Sequence, residues 1–434
     1  MARKKDKTAT GDGGGEDKVD LTTIQQPISI DIITSTLRER YQHDLIYTRI
    51  NSSALVSINP YKILPLFNDS TVQEYVADYK DSSGQRTSPP PHAFQIASQA
   101  YLHMRRTAED QSIILIGESG GGKSEARKLL VKELIALSSH QKKESRIQNQ
   151  VPASDGESGG GKSEARKLLV KELIALSSHQ KKESRIQNQV PASEFILESF
   201  GNAKTLINNN ASRFGKYTEL QFNERGRLIG VKTLDYLLEK TRVSSVPASE
   251  RNFHVFYYLI AGASNDEKSH LHLTTTDASQ YRYLNLSKST SKVYNNINAD
   301  EANKFNELKQ SLKSLGFHKK HVAQMFQLLA AILHLGNIQF SQDPNKQQDA
   351  AFVKNMDVLD LVADFLGVEP RALESALTYK TKLIKKEICT IFLDIEAASV
   401  QRDELAKALY SLLFSWIVEY INTKICREDF ASFI

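Results

Sequence analysis

Cysteine is nearly absent. The 434-residue chain holds two, Cys389 and Cys426, too few for a disulfide framework and without the paired spacing of zinc ligands, the usage expected of a reducing compartment. No window holds eighteen consecutive apolar residues, so no membrane-spanning helix is expected and no membrane contact by this chain. Charge of one sign is not in excess either: 56 Lys and Arg stand against 51 Asp and Glu, net +5. That mild bias is not the footprint of a nucleic-acid binder, and no nucleic-acid partner is expected. Apolar residues are scarce in Met1 to Asp20, where Arg3, Lys4, Lys5 and Lys7 precede the run Gly11 to Gly15 apart from Asp12. That stretch has no apolar core of a signal peptide, and residues 1–24 read as a disordered tail.

What is present suits an α/β protein of two or three ordinary domains, or one large elaborated one. Ile32, Ile33, Leu37 and Tyr41 have helical spacing. "SALVSINPYKILPLF" (Ser53 to Phe67) reads as a short strand ended at Asn59-Pro60, and "DSSGQRTSPPP" (Asp81 to Pro91) as a loop. A helix over Ala93 to Arg106 leads to "SIILIG" (Ser112 to Gly117), a short apolar run of β type. Tyr217 to Phe222, the turn "NERG" and Leu228 to Thr233 predict a hairpin. From about Glu250 the chain turns mostly helical. Its clearest helix, Arg402 to Ile425, lines up Leu405, Leu409, Leu412, Leu413, Trp416, Ile417, Tyr420 and Ile421 as a core-facing stripe.

"GESGGGKS", Gly117, Glu118, Ser119, Gly120, Gly121, Gly122, Lys123 and Ser124, fits G-x-x-x-x-G-K-[ST]. Glycines let successive N–H groups face phosphate oxygens, and a helix starting at Lys123 adds its positive dipole end. Lys123 is expected at the β- and γ-phosphates of ATP, and the Ser124 hydroxyl on Mg²⁺. The 38 residues Gly117 to Ser154 return letter for letter as Gly156 to Ser193. Only the first copy follows an apolar run; the second follows "VPASD". The first loop is therefore the expected working one, with residues 139–189 extruded as an insertion, since loop-closure entropy grows slowly with length. Identity without drift points to a recent duplication or an assembly error.

"LESFGNAKTLINNNASRFGKYTELQF" (Leu197 to Phe222), "LLEKTRV" (Leu237 to Val243), "ERNFHVFYYLIAGA" (Glu250 to Ala263) and "RDELAKALYSLLFSWIVEYIN" (Arg402 to Asn422) resemble segments of myosin motor heads, in order. With "HVAQMFQLLAAILHLGNIQF" (His321 to Phe340) and "YKTKLIKKEICTIFLD" (Tyr379 to Asp394), the wording is most similar to the N-terminal myosin-like domain of fungal chitin synthases of the class V type. The resemblance implies a P-loop NTPase of the myosin/kinesin type over residues 25–434, with a mixed central sheet and many helices, incomplete at its C-terminal side. It implies ATP and Mg²⁺ as cofactors. Ser212 would be the switch I ligand to Mg²⁺, Asn208 would touch phosphate, Arg213 would pair with a switch II acid, and Asn59, Pro60 and Tyr61 would line the adenine. It also implies actin filaments as partner, and a cytoplasmic head on a parent at the plasma membrane or on secretory vesicles.

Two departures bear on activity. Conventional myosins have Ser-Ser-Arg in switch I; here Ala211 precedes Ser212 and Arg213, which removes a hydroxyl able to relay a proton. The sequence given ends at Ile434, where the resemblance implies that the switch II strand and its Asp-x-x-Gly segment come next. "CTIFLD" imitates a Walker B strand, but the resemblance places it elsewhere. Two functions stay open: a myosin-type MgATPase, and a nucleotide-binding tether or regulatory module with little turnover. As written, the chain is expected to hydrolyse little ATP and to fold poorly, because Ser112 to Ile116 would lack a neighbouring strand.

Overall fold

Ser29 starts the first helix where the spacing predicts it: its hydroxyl accepts from the Ile32 N–H at 3.3 Å, at the head of α1 (Ile30–Gln42). A computed structural model of the chain describes residues 20–24, 27, 29–80, 89–147, 186, 188–273, 277–284, 299–342, 350–384 and 387–434. The chain divides into two compact units, Met1–Thr107 with Gln111–Gln141, and Ala108–Asp110 with Lys142–Ile434. Residues 1–19, most of the loop after residue 80 and the second copy of the glycine-rich loop (Gly156 to Ser163) lie outside the described residues.

In the first unit, β1 (Tyr47–Arg49) and β2 (Leu55–Ser57) form an antiparallel pair. β2 stops before Asn59-Pro60, as a proline that restricts its predecessor requires. Two helices, α2 (Asp69–Lys80) and α3 (Ala93–Thr107), follow, and α4 (Lys123–Ile147) starts at the lysine of the loop. His92 is buried among Tyr47, Tyr75 and Phe94, with ring centroids 4.5, 5.3 and 4.1 Å away. Burial pushes its imidazole down to about 4, so it is a neutral core residue. Glu133 of α4 is fully buried; Oε1 accepts from Ser98 Oγ at 3.2 Å, and burial pushes the carboxyl up to about 8.

The expected strand Ser112 to Gly117 does not form. The segment pairs with no strand among the described residues, and Ile114 and Ile116 are 79% and 90% exposed. A strand exists through its ladder, so an apolar β-type run without a partner stays irregular. The mixed central sheet expected of the fold is likewise not assembled among the described residues, whose largest sheet has three strands.

In the second unit, α5 (residues 188–201) leads into the short antiparallel pair β3 (Asn202–Ala203) and β4 (Ala211–Ser212). The predicted hairpin is β5 (Gly215–Phe222) and β6 (Leu228–Tyr236). Its turn closes because Asn223 Oδ1 accepts from the Arg225 and Arg227 N–H groups and Gly226 takes φ 69°. Next come α6 (His254–Gly262), α7 (Asn265–His270), α8 (Ala299–Ser314) and α9 (Lys319–Gly336), then the pair β7 (Phe340–Gln342) and β8 (Ala351–Val353). α10 (Met356–Leu366), α11 (Pro370–Thr378) and the hairpin β9 (Tyr379–Ile384) and β10 (Glu387–Phe392) precede α12 (Ile395–Ile425). β11 (Ser432–Phe433) joins β5 on the side away from β6. The "CTIFLD" run ends in a cap: Asp394 accepts from the Ala397 N–H at 2.7 Å, and β10 pairs with β9.

α12 is longer than predicted and turned about its axis. Its buried line is Arg402, Ala406, Tyr410, Leu413, Phe414, Ile417, Val418 and Ile421, while Leu412 is 69% exposed. Two polar-tipped residues enter the core because each finds a carbonyl. Tyr410 donates to Phe200 O at 2.6 Å and Arg402 Nη1 to Ile338 O at 2.8 Å. Phe253 stacks on the Tyr410 ring at 4.7 Å, and Phe256 lies 5.4 Å from it.

Candidate nucleotide site

The glycine-rich loop is built as its letters predict. Gly120 and Gly122 have φ of 81° and 90°, a region costly for residues with a Cβ. The Gly121 N–H donates to Glu118 O at 3.1 Å, closing the turn, and the Ala126 N–H to Gly122 O at 2.9 Å, opening α4. Lys123, the first helical residue, folds its ammonium back into the loop, donating to Gly117 O at 2.5 Å and Glu118 O at 2.6 Å. A cation is thus fixed at a helix N-terminus within a turn of glycines, the arrangement that attracts a polyphosphate.

Asn59 and Tyr61, on either side of Pro60, come to the same loop from 61 and 59 residues away in sequence. Asn59 Nδ2 donates to Gly120 O at 2.7 Å, and its side chain lies 3.7 Å from where a Cβ on Gly122 would sit. Asn59 Oδ1 accepts from the Tyr61 N–H at 3.0 Å, and Tyr61 holds φ 51°. The Tyr61 hydroxyl reaches Gly120 O at 3.5 Å while the residue stays 76% exposed. Tyr41, which sequence reasoning did not assign to the site, donates to Pro60 O at 3.4 Å.

In the second unit, the loop joining β3 to β4 holds Asn208. Its carbonyl accepts from the Thr205 N–H at 2.8 Å, and its Oδ1 from the Asn210 N–H at 2.9 Å. Ser212 pairs with Asn202, and Ala211 is 1% exposed opposite Ala203. Arg213 donates to Glu239 Oε2 at 3.3 Å, an acid that also takes Nε of Arg242 at 3.1 Å. Glu239 is therefore an acidic partner of Arg213 within this chain. The Glu-x-x-Arg spacing of "LLEKTRV" signals only the i,i+3 pair of Glu239 with Arg242; the contact with Arg213, 26 residues away, has no local signal.

Among the described residues no group of three or more His, Cys, Asp or Glu gathers that could hold a metal ion. In the first unit the Ser124 hydroxyl at the head of α4 offers an oxygen donor of the kind that suits Mg²⁺, which keeps waters and takes phosphate oxygens more readily than an all-protein cage.

Comparison with known proteins finds relatives along most of the chain. Chitin synthase 8 of Mycosarcoma maydis is 45% identical over 412 residues, covering 94% of this chain and 18% of that protein. Chitin synthase 5 of Cryptococcus neoformans var. grubii is 41% identical over 430 residues, covering 96% and 20%. Myosin-I heavy chain of Dictyostelium discoideum is 35% identical over 412 residues, covering 94% and 15%. The chain thus spans a fifth or less of the length of these relatives. The profile of the myosin head (motor domain) family matches residues 15–155 and 145–434, so each match contains one copy of the glycine-rich loop. Extending over both units, these matches show that the chain belongs to the myosin head (motor domain) family.

Proposed function

We propose that this chain is the ATP-binding part of a myosin motor-like domain, N-terminal in a fungal chitin synthase, with actin filaments as the partner of the complete head. Lys123 carries the reading: its ammonium sits on Gly117 O and Glu118 O inside a left-handed glycine turn, and Asn59 braces that turn through Gly120 O. ATP would draw the ammonium from those carbonyls to the β- and γ-phosphates, exchanging two neutral acceptors for charged ones. Mg²⁺, when bound, would neutralise charge developing on the phosphates. Ser124 would hold it through its hydroxyl; Ser212, Asn208 and Arg213 keep the roles that the family implies. The head would face the cytosol at a plasma membrane or secretory vesicle, and the complete head would have the mixed central sheet of a myosin/kinesin-type NTPase.

The test is ligand-dependent stability. ATP with Mg²⁺ at about 100 times Kd should stabilise the chain by about 2.7 kcal/mol, and Lys123→Ala should lose that gain. Equal stabilisation of both proteins would contradict the reading.

A second reading, a nucleotide-holding tether with little turnover, draws support from Ala211. This residue is buried in β4 and brings no hydroxyl to relay a proton. In a longer head, Ala211→Ser should raise the hydrolysis rate toward the ~10²- to 10⁴-fold of one acid/base contact. An unchanged rate would contradict the tether argument.

A further inference from the structure

One amide gathers more partners than a surface loop needs. Asn210 lies between Asn208 and Ser212, both assigned above to the nucleotide, and three side chains from other segments converge on it. Its Oδ1 accepts from Asn202 Nδ2 at 2.9 Å and lies 3.2 Å from His254 Nε2. Its Nδ2 donates to Glu198 Oε2 at 3.2 Å. A carboxylate offers only lone pairs, so Glu198 fixes which end of the Asn210 amide faces which way. The oxygen must then meet donors on its other side. Burial, with the nearby Arg251 charge, pushes His254 down to about 4. A neutral imidazole carries one proton, and the Asn210 oxygen requires it on Nε2.

The three partners rest on firm ground. Asn202 is 1% exposed, and its Oδ1 has no partner among the described residues, so the bonding of its side chain goes to Asn210. His254 opens α6 and stacks on Tyr258, with centroids 5.7 Å apart and planes 7° from parallel. The preceding Phe253 bridges to Ala203 and stacks on Tyr410. Glu198 belongs to α5. The loop itself offers no comparable hold through apolar packing, since Leu206 and Ile207 are each 67% exposed.

We propose that Asn210 is the anchor of the Thr205 to Ser212 loop and that His254 is its positioning residue, holding Asn208 and Ser212 in place before nucleotide arrives. The link to Asn208 is direct, because the Asn210 N–H donates to Asn208 Oδ1. The link to Ser212 runs through the two intervening peptide units and the β3–β4 pair. The inference rests on the nucleotide reading for its consequence, but its structural half does not depend on it.

Hydrogen exchange of the full chain without nucleotide tests that half. His254→Phe keeps a ring for Tyr258 and removes the donor. Exchange at the Thr205 and Asn210 amides should rise about tenfold, while amides at the C-terminal end of α6 keep their rates. His254→Gln, which restores an N–H donor, should recover most of the protection. Asn210→Asp replaces the Nδ2 donor by an oxygen facing Glu198 and should loosen the loop at least as much, which serves if His254→Phe does not fold. Wild-type exchange in the loop of either variant would overturn the proposal, as would an equal rise throughout α6. With a fluorescent ATP analogue, release should quicken about 5- to 30-fold in His254→Phe, with little change in on-rate. If Lys123→Ala leaves analogue binding intact, the nucleotide reading fails, and loop exchange still decides the anchor. If Lys123→Ala abolishes binding while His254→Phe releases the analogue at the wild-type rate, the positioning role is overturned.

Discussion

The two loops assigned to nucleotide are held by different means. Gly117 to Ser124 takes its shape from backbone: left-handed glycines, a turn closed by its own N–H groups, and a lysine satisfied by its own carbonyls. Thr205 to Arg213 takes its shape from side chains borrowed elsewhere, with Asn202, Glu198 and His254 on Asn210 and Glu239 on Arg213. Their supports differ as well. The segment before the first loop leaves Ile114 and Ile116 in solvent, whereas β3 and β4 lie over Phe253 and Tyr410, both buried. A backbone-built loop can be read from a short motif. One held by distant side chains needs the fold.

The comparison can be strained from either side, and the largest expected effect lies under the first loop. Glu133 holds its proton to about pH 8 in the folded chain, against 4.5 for the free group. Between those values the folded state binds a proton that the unfolded state has released, so stability falls as pH rises from about 4.5 to about 8 and is then flat. Glu133→Gln removes that loss. It should stabilise the first unit by about 3 kcal/mol at pH 7 and by almost nothing below pH 4.5. Denaturant unfolding at the two pH values measures it; an equal gain at both would mean that Glu133 is ionised when folded.

Next in size is a test of the second loop's support. A Cβ on Gly201 would fall 2.4 Å from the Phe214 ring and 3.1 Å from that of Phe414. Gly201→Ala should therefore cost the second unit about 1–3 kcal/mol by overpacking. Thermal unfolding checks this, and an unshifted Tm would show that those rings move aside.

A smaller effect separates backbone from side-chain bracing. Asn59→Ala deletes the bond to Gly120 O while the glycine turn closes itself. Affinity for an ATP analogue should fall by about 1 kcal/mol, roughly fivefold, with no collapse of binding. Total loss would mean that the loop depends on side chains as much as its counterpart does. Smallest of all, Ile114→Thr with Ile116→Thr should alter stability by no more than about 0.5 kcal/mol, because both side chains are in solvent. Self-association read by light scattering should fall, and an unchanged scattering signal would show that this apolar segment is not what associates.

Much of the fold and site was legible in sequence, for reasons visible in particular residues. The hairpin β5–β6 followed from two β-type runs around the Asn-x-x-Gly turn, and α1 from the spacing of its apolar residues. The glycine loop was legible because it uses φ angles and a lysine that few other residues can replace, whereas the contacts of Asn59 and Tyr61 with Gly120 came only with the fold. Three things were not. "SIILIG" has strand composition, but composition does not say whether a partner strand stands beside it. The buried side of α12 was misread because its line runs through Arg402, polar by type, and through Tyr410, both of which bury by donating to carbonyls of distant residues that the helix alone does not show. Glu239 and His254 were quoted within family phrases without a role, since their contacts with Arg213 and Asn210 span 26 and 44 residues.

The central claim is that nucleotide is bound through the first of the two identical loops, and the most direct measurement titrates a fluorescent ATP analogue into the chain and two lysine variants. Lys123→Ala should lose at least about 100-fold in affinity, since it removes a charge-assisted contact to phosphate. Lys162→Ala, the same change in the second copy, should bind as the wild type does. Equal losses in the two variants, or a loss confined to Lys162→Ala, would contradict the assignment.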